Sequence, residues 1–272
     1  MRSSATHAPP VTPARPLDAK RIVLTRPPAQ AGDFEDRVRA LGGEPIVASA
    51  IAVVPPETWT IADAALRRVG TYDWIAFTSA NAVRALLDRA HAIGISPDEL
   101  RSRLLAAVGP VTASIVRAAL RAPDFVPAAH TSEALAREMA GVENARLLLP
   151  RGDLATDALP ATLRARGAFV DEIVVYQTVP GPGIPEIAQR LRDGTVDALL
   201  FASASAVHFV ADAATVDATR WPVAVCLGPV TADAAREVGF AQVVVADGTT
   251  QNELIDRAAR WFTGPLRDGG DE

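Results

Sequence analysis

The sequence predicts an α/β fold in which two lobes each contain a parallel sheet flanked by helices, and three observations support this prediction. The 272 residues are enough for one large domain or two smaller ones. The chain also contains an internal duplication, described below. Finally, short apolar runs alternate with amphipathic segments, which is typical of strand–helix units around a parallel sheet that is covered on both faces.

The duplication is clearest in two segments of eighteen residues. DWIAFTSANAVRALLDRA (73–90) and DALLFASASAVHFVADAA (197–214) are identical at eight aligned positions. The string GPVTA follows each of them, at 109–113 and again at 228–232. A weaker similarity connects RIVLTRPP, which starts at Arg21, with RLLLPRGD, which starts at Arg146. The chain therefore consists of four units in the order A, B, A′, B′.

The apolar runs predict strands, and the segments that follow predict helices. The predicted strands are 22–25, 74–78, 104–108, 147–149, 199–202 and 223–227. Helical spacing, often with a capping residue at the start, predicts helices at 81–92, 112–120, 132–140, 205–213, 231–238 and 251–262. In an open parallel sheet the strand-to-helix turns line one edge, and ligands bind there. We therefore expect the functional residues in these turns.

Two proline-containing segments separate the units. Val53–Pro56 lies between A and B, and Thr178–Gly183 lies between A′ and B′, and strand-like residues precede both. These segments predict the two places where the chain crosses between lobes.

Composition excludes several classes of function. The formal net charge is −5 with acidic and basic residues mixed along the chain, so nucleic-acid binding is not expected. Lys20 is the only lysine and lies at the edge of the expected N-terminal tail, which excludes Schiff-base, pyridoxal-phosphate and P-loop lysine chemistry. Cys226 is the only cysteine, which excludes an intrachain disulfide. The four histidines have no metal-ligand spacing, so no metal site is expected. No apolar run is long enough to span a bilayer and no signal peptide is indicated, so we expect a cytoplasmic protein that does not bind membranes.

Taken together, these motifs resemble those of uroporphyrinogen-III synthases, over roughly residues 20–262. The strings that carry the resemblance are TRP at 25–27, FTSANAV at 77–83, both copies of GPVTA, PRG at 150–152, VVYQT at 174–178 and FASASAV at 201–207. Each string alone is common in α/β proteins, but their joint order and spacing are specific. One departure is Ala204, where the family often has a proline between two serines.

For the fold, the resemblance implies two flavodoxin-like lobes joined by a two-stranded β ladder. Lobe one would combine A with B′, and lobe two would combine B with A′, although the sequence does not exclude a simple tandem arrangement. The expected boundaries are a disordered tail at 1–19, lobe one at 20–48 plus 181–264, lobe two at 57–171, hinge strands at 49–56 and 172–180, and a flexible C-terminus at 265–272.

For function, the resemblance implies that a linear hydroxymethylbilane with eight carboxylates loses water and closes into a macrocycle whose last pyrrole ring is inverted. No cofactor or metal takes part. The mechanism proposed for the family passes through an azafulvene-like cation and a spiro intermediate. Expected partners are this substrate and, transiently, hydroxymethylbilane synthase, and a monomer is expected.

The residue predictions follow from these motifs, each with a structural alternative. Tyr176 and Thr231 are the candidate catalytic residues; Tyr176 could instead only pack across the hinge, and a phenol is a weak general acid unless perturbed. The candidate substrate-binding residues lie in the strand-to-helix turns: Arg26, Ser79, Asn81, Thr112, Arg151, Ser203 and Ser205. The arginines could clamp a propionate or form ordinary ion pairs, and the serines and threonines could bind carboxylates or only cap helices, with capping favoured for Thr112.

Two other functions remain open. The chain could be a bilobed ligand-binding or regulatory protein that kept the fold without catalysis. It could also be an enzyme of another class that binds a phosphate or flavin at the same strand ends. The absence of GxGxxG and GxxxxGK[ST] makes a nucleotide site less favoured.

Overall fold

The computed structural model describes residues 15–214, 220–248 and 250–264. In chain order its strands are β1 (Arg21–Leu24), β2 (Glu44–Val47), β3 (Ile51–Val54), β4 (Trp74–Phe77), β5 (Leu104–Ala107), β6 (Arg146–Gly152), β7 (Phe169–Pro180), β8 (Ala198–Phe201), β9 (Val223–Cys226) and β10 (Val243–Val245). Its α-helices are α1 (Phe34–Ala40), α2 (Thr60–Arg67), α3 (Ala80–Ala92), α4 (Pro97–Arg101), α5 (Pro110–Ala119), α6 (Ser132–Glu138), α7 (Ala158–Ala165), α8 (Ile184–Arg192), α9 (Ala204–Ala213), α10 (Pro229–Glu237) and α11 (Gln251–Thr263).

The strands form two sheets of five. One sheet has the order β10-β9-β8-β1-β2, and all of its neighbouring strands are parallel. Read from β2, this is the 2-1-3-4-5 order of flavodoxin-like folds. The other sheet has the order β3-β7-β6-β4-β5, in which β7, β6, β4 and β5 are parallel and repeat the 2-1-3-4 part of that order. The predicted fold class is confirmed.

Strand membership also decides between the two arrangements that the sequence left open. The first sheet contains β1 and β2 of unit A together with β8, β9 and β10 of unit B′. The second contains β4 and β5 of unit B together with β6 and β7 of unit A′. The duplicated halves are therefore interleaved, and the tandem alternative is wrong.

Among the described residues, 15–52 and 180–264 form one compact unit, which we call unit 1, and 53–179 form the other, unit 2. The chain passes between the units inside β3 and at the end of β7, and these two strands are hydrogen-bonded neighbours. The ladder expected between the lobes is thus a pair of strands at the edge of the second sheet.

Each sheet has a core on both faces, because successive side chains of a strand point to opposite sides. In β1, Val23 belongs to the core that α8, α9 and α10 cover, whereas Ile22 and Leu24 belong to the core covered by α1 and α11. In β4, Ile75 and Phe77 pack on the side of α2, α3 and α5, and Trp74 and Ala76 pack on the side of α6 and α7.

The N-terminal boundary differs from the expected tail at 1–19. Residues 1–14 lie outside the described residues. Residues 15–19 form a turn in which Leu17 is completely buried in the core with Phe34 and Val38, and its backbone N–H donates to the carbonyl of Leu41 over 3.0 Å. These five residues therefore belong to the folded unit, because Leu17 packs in its core. The expected flexible C-terminus at 265–272 also lies outside the described residues.

Candidate active site

The strand order places a crevice in unit 2 at the carboxyl ends of β4 and β6. The chain leaves β4 toward β5 on one side, and β6 lies on the other, so the helices that follow diverge and leave a gap. A cavity of about 330 Å³ occupies this place. Its lining comes from the end of β4, the end of β6 and the segment after it, α6, α7 and β7: Thr78, Ser79, Ser132, Leu149, Arg151, Gly152, Leu154, Ala155, Thr156, Leu159, Pro160 and Tyr176.

Ser79 and Tyr176 meet at this cavity. The Oγ of Ser79 lies 3.2 Å from the phenolic oxygen of Tyr176, and either hydroxyl could donate. Ser79 is also the N-cap of α3, where its Oγ accepts from the N–H of Ala82 at 3.0 Å. The predicted cap and the predicted catalytic hydroxyl are therefore in direct contact, although they are 97 residues apart in the chain.

A second cavity, of about 390 Å³, also borders Tyr176, and we call it the α2–α3 groove. It is lined by Val53, Val54, Pro55, Trp59, Asn81, Arg84, Ala85, Asp88, Arg89, Ala92, Val175 and Tyr176. Asn81 thus faces this groove and is absent from the lining of the first cavity, whereas Tyr176 borders both. Predicted site residues from one motif, FTSANAV, are divided between two spaces.

Arg151 is at the end of β6, as expected, but its guanidinium is already bound by the protein. It contacts the carboxylates of Glu172 and Asp157 and the carbonyl of Ala155, and its side chain is only 9% exposed. The structure thus places Arg151 in an ion pair that is buried rather than exposed, and its contact with substrate stays a prediction.

Arg26 occupies the equivalent position after β1 in unit 1 and differs in its contacts. It is half-buried, and no carboxylate or hydrogen-bond acceptor partners it among the residues that the structure describes. Burial lowers the pKa of its guanidinium below the ordinary value. An unpaired, partly desolvated cation gains more from an incoming anion than a solvated one does. Arg26 is therefore the better candidate of the two for binding an anionic group.

Unit 1 repeats the capping geometry of unit 2. Ser203 is the N-cap of α9, with backbone angles of −153° and 151° against −152° and 152° for Ser79, and its Oγ accepts from the N–H of Ala206 at 3.3 Å. Ser205 follows at the second position of α9, as Asn81 does in α3. The sequence duplication is thus also a duplication of local structure at the carboxyl edges of both sheets.

In the two GPVT turns, the threonines do not cap the helices that follow. Thr112 was favoured as a helix cap, but the N-caps of α5 and α10 are Gly109 and Gly228, neither of which supplies a side-chain cap. Thr112 and Thr231 are the third residues of their helices and are buried. Since proline at the first helical position already fixes the backbone, the helices begin two residues earlier than the threonines suggested. Their first N–H groups remain without a side-chain cap, which is the arrangement that binds anions.

Cys226 lies at the end of β9 and is fully buried. Burial raises the pKa of its thiol to about 12, so the thiolate that a nucleophile needs is not available near neutral pH. The interpretation of Cys226 as a core residue is consistent with this environment.

Within the described ranges, no cluster of three or more His, Cys, Asp or Glu side chains could hold a metal ion. No helix in those ranges has the length and apolar character needed to cross a membrane.

Comparison with known proteins decides the family. A family model described as Uroporphyrinogen-III synthase HemD matches residues 32–256, which is most of the chain. The chain belongs to the uroporphyrinogen-III synthase family. The resemblance seen in the motifs is thereby confirmed.

Individual relatives of this family are distant. The chain is 28% identical over 260 residues to the porphyrin biosynthesis protein HemD of Ruminiclostridium josui, and the match covers 93% of this chain and 51% of that protein. The chain thus spans about half the length of that relative. It is 29% identical over 197 residues to the uroporphyrinogen-III synthase of Synechococcus elongatus, with 71% of this chain and 74% of the relative covered.

Among solved structures, a mutant uroporphyrinogen III synthase from the extremely thermophilic bacterium Thermus thermophilus matches with a TM-score of 0.65 and 23% identity. The match covers 89% of this chain and all of that one. At this level of identity, the likeness supports the fold of the uroporphyrinogen-III synthase family.

Two features of the site were not found in the sequence. Gly152 touches the ring of Tyr176, and Trp59 forms part of the groove beside it. The PRG string contains Gly152, but a glycine after a strand has many ordinary causes. Trp59 immediately precedes a helix that was not predicted, so no pattern connected it with Tyr176.

Proposed function

We propose that this protein is a uroporphyrinogen-III synthase that converts hydroxymethylbilane into uroporphyrinogen III. The hydroxyl of the hydroxymethyl group leaves as water, and the carbon that carried it becomes part of an azafulvene-like cation. That cation is attacked within the same molecule, through a spiro intermediate, so that the terminal ring is inverted when the macrocycle closes. The reaction is redox-neutral and releases one water, so it needs no oxidant or reductant.

The observation that carries this proposal is the contact between Tyr176 and Ser79 at the cavity of unit 2. The N–H of Ala82 donates to the Oγ of Ser79, which leaves the serine hydroxyl free to donate to the Tyr176 oxygen at 3.2 Å. The Tyr176 hydroxyl can then donate to the leaving group. Hydrogen bonds in such a series strengthen one another, and the first donor is at the positive end of α3. The series lets Tyr176 supply the proton with which the hydroxyl leaves as water, and Tyr176 regains a proton from the pyrrole carbon that loses its hydrogen when the macrocycle closes.

Binding of the carboxylates is proposed for the turns at the carboxyl edges of the two sheets. The uncapped N-termini of α5 and α10 offer N–H groups beside Thr112 and Thr231, with Thr231 also a candidate for contact with the reacting part of the substrate. Arg26 offers a partly desolvated guanidinium that has no acceptor among the described residues. Ser203, Ser205 and Asn81 lie in the first turns of their helices and add polar contacts. Backbone donors of this kind explain how an acidic chain could hold a substrate with eight carboxylates.

Positioning is expected to contribute more to this reaction than acid–base strength. The substrate is reactive by itself, and its uncatalysed closure gives the isomer without inversion. The protein therefore has to select one shape while a cation develops, which is the kind of effect that binding and fixed dipoles supply. The cavity beside Tyr176, at about 330 Å³, is within the usual range for small-molecule sites and suits part of this substrate.

The alternative is a bilobed protein of this family that binds a ligand without catalysis. It would keep the helix N-termini and Arg26 but would not need the Tyr176–Ser79 contact. A tetrapyrrole pathway, a monomeric state, a cytoplasmic location and a transient contact with hydroxymethylbilane synthase are parts of the same proposal.

The experiment is to add purified protein to freshly prepared hydroxymethylbilane and to separate the products after oxidation to porphyrins. We expect the type III isomer, with and without a chelator in the buffer. Reactions with buffer alone and with heat-denatured protein provide the uncatalysed background. Formation of type I isomer alone would favour the non-catalytic alternative, and substrate binding measured by titration would then test that alternative directly.

A further inference from the structure

Gly152 is the last residue of β6, and its contacts with Tyr176 are unusually close. A Cβ built at this position would lie 2.6 Å from two ring carbons of Tyr176 and 2.8 Å from its phenolic oxygen. These distances are shorter than carbon–carbon contacts in proteins, so no residue other than glycine leaves the ring where it is. Its backbone angle φ is not in the left-handed region, so backbone conformation does not require the glycine. The close approach of the Tyr176 ring is what requires a glycine at this position.

The register of the sheet creates this approach. β6 and β7 pair in regular steps up to Arg151 and Val174, and the register then shifts so that Gly152 is opposite Tyr176. Such an irregularity redirects the side chains beyond it. The ring of Tyr176 is thereby laid across the end of β6, with its hydroxyl at Ser79.

The residue after Gly152 holds the backbone on both sides of Tyr176. The N–H of Asp153 donates to the carbonyl of Tyr176 at 3.2 Å, and the carboxylate of Asp153 accepts from the N–H of Thr178 at 2.9 Å. These two bonds connect the segment that follows β6 to β7.

Arg151 holds the same segment through its buried side chain. Its buried guanidinium binds the carbonyl of Ala155 and the carboxylate of Asp157, which lie three and five residues beyond Gly152, and it is itself held by Glu172 of β7. All three residues of the string Arg151-Gly152-Asp153 thus act on the position of β7 or of the Tyr176 ring.

We propose that Gly152 is a positioning residue, whose missing side chain lets Tyr176 lie against the end of β6 and present its hydroxyl at Ser79, with Arg151 and Asp153 holding the segment in place. The proposal rests on the proposed function for its effect on catalysis, but the geometric part can be tested separately. Because only the far end of the Tyr176 side chain meets the added Cβ, an alanine at 152 should turn the ring aside without unfolding the protein.

The variants are Gly152→Ala, Tyr176→Phe and the double variant, with Gly70→Ala as the matched control, since a Cβ at Gly70 meets nothing within 4 Å. Loss of a positioned acid typically lowers turnover by a factor on the order of 10². We expect that Tyr176→Phe lowers kcat by about this factor, that Gly152→Ala lowers it at least about tenfold, and that KM changes much less. The double variant should be no slower than Tyr176→Phe, because Gly152 acts through the hydroxyl.

The geometric readout is the NMR spectrum of protein labelled on its tyrosine rings. The chain has two tyrosines, Tyr72 and Tyr176, so loss of one signal in Tyr176→Phe assigns both. Gly152→Ala should shift the Tyr176 signal and leave the Tyr72 signal in place, and Gly70→Ala should shift neither. If Gly152→Ala does not fold, Asp153→Ala replaces it, with a smaller shift and a several-fold loss of kcat expected.

The outcomes separate the two proposals. An unshifted Tyr176 signal, a kcat for Gly152→Ala equal to that of Gly70→Ala, or effects that multiply in the double variant would each overturn the role of Gly152. If the unaltered protein forms no type III isomer, the proposed function fails. The tyrosine signal then still decides whether Gly152 sets the position of Tyr176.

Discussion

At the scale of single residues, the contrast between Arg26 and Arg151 shows why equivalent positions in a duplicated chain need not have equivalent roles. Both arginines lie at the end of the first strand of their repeat. Arg151 is surrounded by Glu172, Asp157 and a carbonyl, whereas Arg26 has no such partner among the described residues. A guanidinium can donate hydrogen bonds either to the protein or to a ligand. Arg151 donates to the protein, and Arg26 is the one available to a ligand.

We expect Arg26→Ala to raise the KM for hydroxymethylbilane by roughly tenfold to a hundredfold, because a charge-assisted hydrogen bond is worth about 1.5–3 kcal/mol. The free energy of unfolding should stay the same or rise, since the variant removes a partly desolvated charge that has no partner among the described residues. Initial rates over a range of substrate concentrations, together with urea unfolding, measure both quantities.

The control for Arg26 is Arg192→Ala. Arg192 is an exposed arginine of the same unit, on α8, and its guanidinium contacts Gln189 one turn away. It should leave KM unchanged. An unchanged KM in Arg26→Ala as well would show that Arg26 does not bind the substrate.

The two serine caps could be predicted from the sequence because their geometry is local. Ser79 and Ser203 cap their helices because a serine just before an amphipathic segment binds the N–H groups of the next turn. The contact of Gly152 with Tyr176 is different in kind, since it depends on the register between β6 and β7. No spacing within either strand determines that register.

At the scale of elements, every strand and helix that the sequence predicted was confirmed to within about three residues at either end. The sequence did not predict β2, β10, α1, α2, α4, α7 or α8. The duplicated strands β4 and β8 are buried on both faces and therefore appear as continuous apolar runs. By contrast, α4 has five residues and β10 has three, which is too few for a period to emerge. β2 contains a proline, which lowers its similarity to a strand, and it lies at the edge of its sheet.

One of these unpredicted helices, α2, is attached to α3 by an ion pair. The guanidinium of Arg89 binds the two carboxylate oxygens of Asp63 at 2.6 Å each, and it lies 5.1 Å from the centre of the Trp59 ring. The hydrogen bonds from Arg89 hold the pKa of the Asp63 carboxyl below its usual range. The pair thereby sets the position of the wall of the α2–α3 groove.

The pH dependence follows from the direction of this shift. Because the pKa of Asp63 is lower in the folded than in the unfolded chain, its contribution to stability is present above the unfolded pKa of about 4 and is lost as the pH falls toward the folded pKa. We expect Asp63→Asn to lower the urea midpoint at pH 7, and this difference from the parent protein to shrink below a pH of about 4.

Asp88→Asn is the matched control for this experiment. Asp88 is exposed on α3, and no ion pair involving it is found in the described part of the chain. Its replacement should leave the midpoint unchanged at both pH values. Equal midpoints for Asp63→Asn and the parent at pH 7 would show that the pair adds nothing to stability.

At the scale of the whole molecule, the interleaved duplication gives each unit a complete core. The two clusters that contain Val23 and Ile22 consist of unit 1 residues, and the two that contain Ile75 and Trp74 consist of unit 2 residues. None of these four clusters, as far as the described residues go, combines side chains from both units. The motif order could reveal the duplication, but only the strand pairing reveals which copies share a core.

We expect each unit to fold without the other. Residues 53–179 are continuous in the chain and exceed the roughly 60 residues at which single domains begin to fold alone. Unit 1 is interrupted, but its two segments come together where unit 2 leaves. The N–H of Gly181 donates to the carbonyl of Ala50 at 3.0 Å, and the N–H of Gly183 donates to the carbonyl of Ser49 at 2.9 Å. A short glycine–serine linker can therefore replace residues 53–179.

The test compares three chains: the isolated segment 53–179, the linked unit 1 and the full-length protein. Cooperative urea unfolding and dispersed amide NMR spectra are expected for both parts, because the helices on both faces are kept in each. Unit 1 keeps its five strands, and segment 53–179 keeps β4, β5, β6 and all but the last residue of β7. A version of unit 1 that ends at residue 52 is the control, and it should remain unfolded because β8, β9 and β10 are missing from its sheet. Non-cooperative unfolding of segment 53–179 would show that its stability depends on unit 1, even though its apolar clusters are self-contained.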